Sequence, residues 1–272
     1  MTGRHLDYAG GALVMGIVGI AVAFLLVPLL LVLLMAFDAR AFLGPFPPTS
    51  FSLQWFERFF SNEFILRGVR TSLELAVLTT IVSTVVGTTA AIAIHQYEFP
   101  GKTLVGSLLF SPIVIPAVVI GFAVLLVFAL LDVRVAFFRL LAAHVIITVP
   151  FVIRAVIASL VGLRASFVEA AMSLGATQRA AFFTITLPLI RPGIVAGTIF
   201  AFALSMDDVA ASLFLTDQKV VTLPVALVSL MRANFDLTIA AAAVLLIMLT
   251  AAIVFVLDRI FGIDRVVGTT VN

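Results

Sequence analysis

From Gly11 to Ala36 the chain runs for 26 residues without a charged side chain. Five further stretches, at about 71–94, 103–131, 135–157, 192–216 and 237–257, are apolar over comparable lengths. A helix needs about 20 apolar residues to cross the hydrocarbon core of a bilayer. The pattern therefore predicts six membrane spans, the first at about 11–36. Inside lipid every backbone polar group has to be satisfied within the protein, which leaves only helices and closed barrels. Barrel strands alternate apolar and polar residues, and continuous apolar runs exclude them. The expected fold is all-α and polytopic, one transmembrane domain over residues 1–272. With 63% apolar residues, 11% charged residues and a mean hydropathy of +1.28, a water-soluble domain is excluded.

The first run is too long for a secretory signal, whose apolar core holds about 7–15 residues. It reads as an uncleaved span, although Ala39-Arg40-Ala41 mimics a cleavage site. The chain has no cysteine, which removes disulfides, iron–sulfur clusters and thiolate zinc sites. No basic block points to nucleic acid. With six spans both termini lie on one side. Eight Lys and Arg residues then fall to each side of the membrane, so charge asymmetry does not orient the chain.

Between the first two spans, Phe42 to Pro48 is turn-rich. The following Ser52-Leu53-Gln54-Trp55-Phe56-Glu57-Arg58-Phe59-Phe60 places Leu53, Phe56 and Phe60 at helical spacing beside the only Trp. That pattern predicts an amphipathic helix lying in the outer interface. Gly101-Lys102-Thr103 looks like the tail of a phosphate-binding loop, but Gln96 stands where such a loop needs its first Gly, and no strand precedes it. Pro112 and Pro116 should bend span three. Pro192 is expected in the first turn of span five, where its missing N–H costs nothing. No internal repeat is visible, unlike many secondary transporters.

The segment 164–191 is polar and helix-compatible, set between spans four and five. Ser166-Phe-Val-Glu169 has capping-box spacing, which starts a helix running to about Leu174. Gly175 can supply the left-handed residue that ends it. Thr177 can cap a second short helix through Thr184, and Pro188 then returns the chain to the membrane. The product is a compact knob carrying Glu169, Gln178 and Arg179 among alanines.

Glu169-Ala170-Ala171, then Gly175, then Ile185 and Leu187-Pro188 resemble the EAA loop of the permease subunits of binding-protein-dependent ABC importers. The resemblance extends over nearly the whole chain and is strongest to the second permease subunit of spermidine/putrescine systems. It is carried further by Ala201-Phe-Ala-Leu-Ser-Met-Asp207-Asp208, by His144 to Val152, and by Tyr97-Glu-Phe-Pro-Gly-Lys102. The type I importer permease fold is what this resemblance implies, in a bacterial inner membrane with both termini cytoplasmic. It also implies a second homologous permease, two copies of a cytoplasmic ATPase and an extracytoplasmic solute-binding protein. The chain would bind no cofactor itself, ATP and magnesium residing on the ATPase. Glu169, Ala170, Ala171, Gly175, Arg179, Leu187 and Pro188 would form the ATPase-coupling site, with no catalytic residue and no metal.

Relatives with this pattern also carry opines, aminoethylphosphonate or amino-acid-like solutes, so polyamine is the preferred reading among these. Asp207 and Asp208 fall about 15 residues into span five, toward the outside. Carboxylates at that depth are costly, about 2.5–3.5 kcal/mol on insertion scales, and face a bundle interior or a water path. Adjacent helical positions diverge by about 100°, so one can line the path while the other pairs with a neighbouring helix or a helix terminus. They can attract a cationic amine, or serve as buried hydrogen-bonding groups or a helix break. Glu74 is a third candidate for the path, although Arg70 one turn earlier favours a local ion pair. His144 reads as a packed or hydrogen-bonded residue. A stand-alone secondary transporter lacks support from any repeat. A membrane enzyme has no cysteine nucleophile, and His5, His95 and His144 are scattered.

Overall fold

The computed structural model describes residues 2–40, 44–163, 165–233 and 235–261. Ala41 and Phe42, named above, and Arg164, the first residue of the 164–191 segment, lie outside them. The described residues are helical throughout, apart from loops and one isolated bridge between Asp38 and Phe51. The chain divides into two compact units, Met1–Asn62 with Leu230–Leu249, and Glu63–Ser229 with Thr250–Asn272.

In the first unit α1 runs from Thr2 to Met35 and α2 from Gln54 to Ser61. The connection between them is organised by Asp38, which is fully buried. Arg40 Nε lies 2.9 and 2.8 Å from the two Asp38 carboxylate oxygens. Those hydrogen bonds hold the Asp38 carboxyl below the usual carboxylate range, against the opposing effect of burial. Trp55 Nε1 donates to the Asp38 carbonyl at 2.6 Å. The Trp55 ring packs on Leu237 and Ala241, and the Arg58 guanidinium stacks 4.7 Å from its centre. The expected amphipathic helix forms, with a second face that packs on protein. α2 is amphipathic, but its buried face is Trp55 and Phe59, turned onto protein, while Leu53 and Phe60 remain exposed. A buried Trp needs a partner for its N–H, and the Asp38 carbonyl provides it.

In the second unit the core is made by α3 (Glu63–Gln96), α6 (Ala136–Val161) and α9 (Leu187–Asp207). The buried face of α3 carries Gly68, Ser72, Ala76, Thr79, Ser83, Gly87 and Ala91, recurring every three or four residues. Small residues let helices approach where lipid supplies no hydrophobic drive between them. At Gly87 an added Cβ would stand 2.7 Å from the Val152 side chain, so the approach there requires glycine. Ser83 bonds Thr148 at 2.7 Å, and Thr84 bonds Thr198 at 3.1 Å, tying α3 to α6 and α9.

Span three departs from expectation. It is two helices, α4 (Lys102–Val114) and α5 (Ala117–Leu130), bent by 108°. Pro116 disfavours helical backbone in the residue before it, and Ile115 is extended at φ −79° and ψ 128°. By length and apolar composition four described helices can cross a membrane, or five if the bent pair is one span. That is short of the six expected. The short α11 (Leu223–Ala233), absent from the sequence reading, and α12 (Thr238–Phe261) hold shorter apolar stretches. The Leu223 N–H bonds Ser72 Oγ of α3 at 2.9 Å.

Candidate functional sites

The loop between α6 and α9 contains α7 (Ala165–Ser173) and α8 (Gln178–Ala181). α7 closes with two linked bonds, Gly175 N–H to the Met172 carbonyl and Ala176 N–H to the Ala171 carbonyl, both 3.0 Å. This is the Schellman arrangement, and it needs a left-handed residue. Gly175 supplies it at φ +93°. Thr177 caps α8, its hydroxyl accepting from Ala180 N–H at 3.2 Å. The start of the loop differs from the capping-box reading. Helical backbone already begins at Ala165, which places Ser166 inside the first turn. Glu169 is exposed, and among the described residues its carboxylate has no partner; its carbonyl accepts from Ser173 Oγ.

The end of the loop differs more. α8 does not stop at Thr184 for Pro188 to turn the chain. It widens into a π-helical turn over Phe182–Thr186 and continues into α9, so residues 178–207 form one helix. In that turn Leu187 N–H bonds the Phe182 carbonyl five residues back. Such widening shifts the bonding partners by one and lets Pro188 enter the first turn of α9 without a break. Pro192 therefore lies inside the helix and not at its start. Ala170 and Pro188 are exposed, while Ala171 and Leu187 are half-buried. Arg179 is exposed and lines a cavity of about 450 Å³ with Gln96, Tyr97, Gln178 and Phe183. Lys102, of the rejected phosphate loop, pairs with Glu98 at 2.7 Å.

The far end of α9 holds the acidic pair. Span five was expected to reach residue 216, but α9 ends at Asp207, and Asp208 is its extended cap at ψ 117°. The two carboxylates part company here. Asp207 is exposed. Asp208 turns back on α10 (Ser212–Leu215) and accepts from Ser212 N–H and Ser212 Oγ, both 2.9 Å, with Ala211 N–H at 3.5 Å. His144 of α6, almost fully buried, stands beside it. Its Nδ1 is 2.8 Å from Ser205 Oγ, its Nε2 is 2.9 Å from Ser212 Oγ, and Nε2 is 3.7 Å from Asp208 Oδ2. Thr148 Oγ1 donates to the His144 carbonyl at 2.7 Å and meets Ser83 on α3. Glu74 accepts from Arg70 Nε at 2.8 Å on an exposed face of α3. The sequence reading quoted His144 in one motif and Ser205 with Asp208 in another, and the fold brings the two together.

A helical bundle with spans of membrane length defines a polytopic membrane protein. Its fold is similar to that of a bacterial ABC transporter importing the acidic polysaccharide alginate. The TM-score is 0.75 at 18% identity, covering 94% of this chain and 96% of that one. Residues 83–263 match the binding-protein-dependent transport system inner membrane component family, and the chain belongs to it. It is 30% identical over 248 residues to the spermidine/putrescine transport system permease protein PotC of Escherichia coli K12, covering 91% of this chain and 93% of that protein. It is 29% identical over 231 residues to the putrescine transport system permease protein PotI of the same organism, covering 82% of each.

Proposed function

We propose that this multi-pass inner-membrane permease imports a polyamine, spermidine or putrescine, as one of two homologous membrane subunits. A separate cytoplasmic ATPase, present in two copies, binds ATP and magnesium and docks on the 165–188 loop. An extracytoplasmic binding protein delivers the solute. Both termini are cytoplasmic, and the chain crosses the membrane six times, the bent α4–α5 pair and the shorter α12 each counting as one span beside the four long helices. The observation that carries this reading is the single helix from Gln178 to Asp207, 30 residues long. At 1.5 Å per residue it reaches about 45 Å, from the capped knob to the acidic end. A displacement of the knob by the ATPase would move the whole rod and, with it, the surroundings of Asp207. The polyamine assignment is supported by the relatives named above and by the exposed carboxylate at the helix end, which suits a cationic amine.

Two variants test this reading. Gly175→Val places a β-branched residue at φ +93°, straining the turn by about 1 kcal/mol or more. It should leave membrane insertion intact and abolish binding-protein-stimulated ATP hydrolysis in the reconstituted complex. Stimulation at the normal rate would remove the coupling role. Asp207→Asn keeps the side-chain size and removes the charge. Labelled putrescine and spermidine uptake, normalised to assembled complex, should fall about tenfold or more. Undiminished uptake would refute Asp207 as the solute contact.

A further inference from the structure

The break between α9 and α10 is crossed by one side chain from a third helix. Ser205 lies before the break and Ser212 after it, and the imidazole of His144 touches both hydroxyls, at 2.8 and 2.9 Å. The direction of the hydrogen bonds follows from proton counting. A serine hydroxyl has one proton to give. Ser212 gives its proton to the Asp208 carboxylate, so its oxygen can only accept from His144. Nε2 must therefore carry a hydrogen, whatever Nδ1 does. The result is a chain of donors running from His144 Nε2–H through the Ser212 hydroxyl to Asp208. Asp208 also receives the Ser212 backbone N–H. Its acceptor sites are thereby turned inward, while the adjacent Asp207 stays exposed.

We propose that His144 is the positioning residue of this break. It holds Ser205 on one flank and Ser212 on the other, and through Ser212 it fixes Asp208, so that Asp207 alone faces the solute. His144 is anchored in its turn, because Thr148 one turn along α6 bonds both the His144 carbonyl and Ser83 of α3. The proposal rests on the polyamine reading for its substrate. The geometry it assigns to the break is independent of that reading.

The two arms of the imidazole can be separated by substitution. Glutamine can place an amide N–H near the position of Nε2, and asparagine can place one near Nδ1. The Nε2 arm carries the assignment. His144→Gln should therefore keep the KM for putrescine uptake within about threefold of the parent, while His144→Asn and Ser212→Ala should raise it about tenfold or more. Ser205→Ala should stay within about threefold. A merely structural role predicts less assembled complex in each variant, with an unchanged KM per complex. That result, or equal damage from Gln and Asn, would overturn the proposal. If His144→Asn fails to assemble, Ser212→Ala carries the same test.

A second readout needs no solute. The chain has no cysteine, so Leu213→Cys on α10 gives a single labelling site on this chain, read on its own band from the assembled complex. Its reaction with a water-soluble maleimide should accelerate about tenfold in the His144→Asn and Ser212→Ala backgrounds, and little in His144→Gln. Unchanged labelling in Ser212→Ala would overturn the stapling role. Failure of the parent complex to take up putrescine or spermidine would instead overturn the polyamine reading, leaving the labelling result to decide on His144.

Discussion

Two apolar helical runs are broken in this protein, and they are broken in different ways. Between α4 and α5 the break falls at Ile115 and Pro116, where covalent geometry forces extended backbone. Its surroundings are almost wholly apolar, a cavity of about 380 Å³ lined by residues such as Pro112, Val119, Val124 and Phe128. Between α9 and α10 there is no proline from Pro192 to Pro224. The chain turns at Asp208, whose carboxylate accepts the Ser212 N–H at the start of α10. The first break is fixed twice over, by its proline and by packing. The second is fixed by hydrogen bonds that require α6, more than sixty residues away in sequence. A break held in this manner can change state without breaking a covalent rule, which suits an element that moves during transport.

The two breaks also touch. Gly121 of α5 lies against Ala211, and Phe122 meets Phe214 edge-on at 6.5 Å. A Cβ at Gly121 would stand 2.7 Å from both Ala211 Cα and its carbonyl oxygen, and backbone cannot swing aside as a flexible side chain can. Gly121→Val should thus disturb both breaks at once, with the largest effect of the series, about 3 kcal/mol or more. The measurement is thermal stability of the purified chain in detergent, together with the yield of folded protein. A normal melting temperature would show that α5 does not bear on the α9–α10 turn. Asp208→Asn comes next. Ser212 N–H and Ser212 Oγ both donate to Asp208 Oδ2, so the amide oxygen can still accept from both. The charge that strengthens those bonds is lost, however, and an NH₂ group is turned toward Ala211 N–H, which should cost about 1–3 kcal/mol. The same melting measurement reads it, and an unshifted midpoint would mean that the second break is held by something other than this network.

The contrast sets what a reader of the sequence could see. Pro116 announces its own break, because the constraint acts on the residue beside it. The end of α7 is equally local. Gly175 and Thr177 act within their own turn, and both stand in the backbone conformations their residue types suggest. The capping box at Ser166 has the right spacing and still fails, since the helix is already under way at Ala165. The continuity of α8 with α9 was hidden for a related reason. Pro188 looks like a stop and Pro192 like a new start, and only a π turn that no residue type advertises carries one helix through both. A helix break was one of the readings open for the acidic pair, but the apolar run Val209 to Leu215 carried the expected span past it to residue 216. The histidine of α6 that stands beside the end of α9, bonded to Ser205 and Ser212, leaves no trace in the periodicity of the segment. The resemblance to permeases located the acidic pair, whereas the division between exposed Asp207 and occupied Asp208 required the fold.

The smallest expected effect belongs to the break that is most visible. Pro116→Ala removes the covalent reason for the bend, yet Ala can adopt the φ −55° and ψ 134° that Pro116 holds. The position of α5 is also set by Ile120 and Val124, packed in a cluster with Leu75, Leu140 and Ala211. The substitution should therefore act chiefly by loosening the unfolded chain, at about 0.4–1 kcal/mol, with the bend retained. Spin labels at exposed Leu108 on α4 and Leu126 on α5 would report the bend as a distance. An unchanged distance with a slightly lower melting temperature is the expected pair of results. Straightening of 102–130 into one helix would lengthen that distance markedly. It would show that proline alone held the first break, and that packing between α5 and the α9–α10 turn contributes nothing to it.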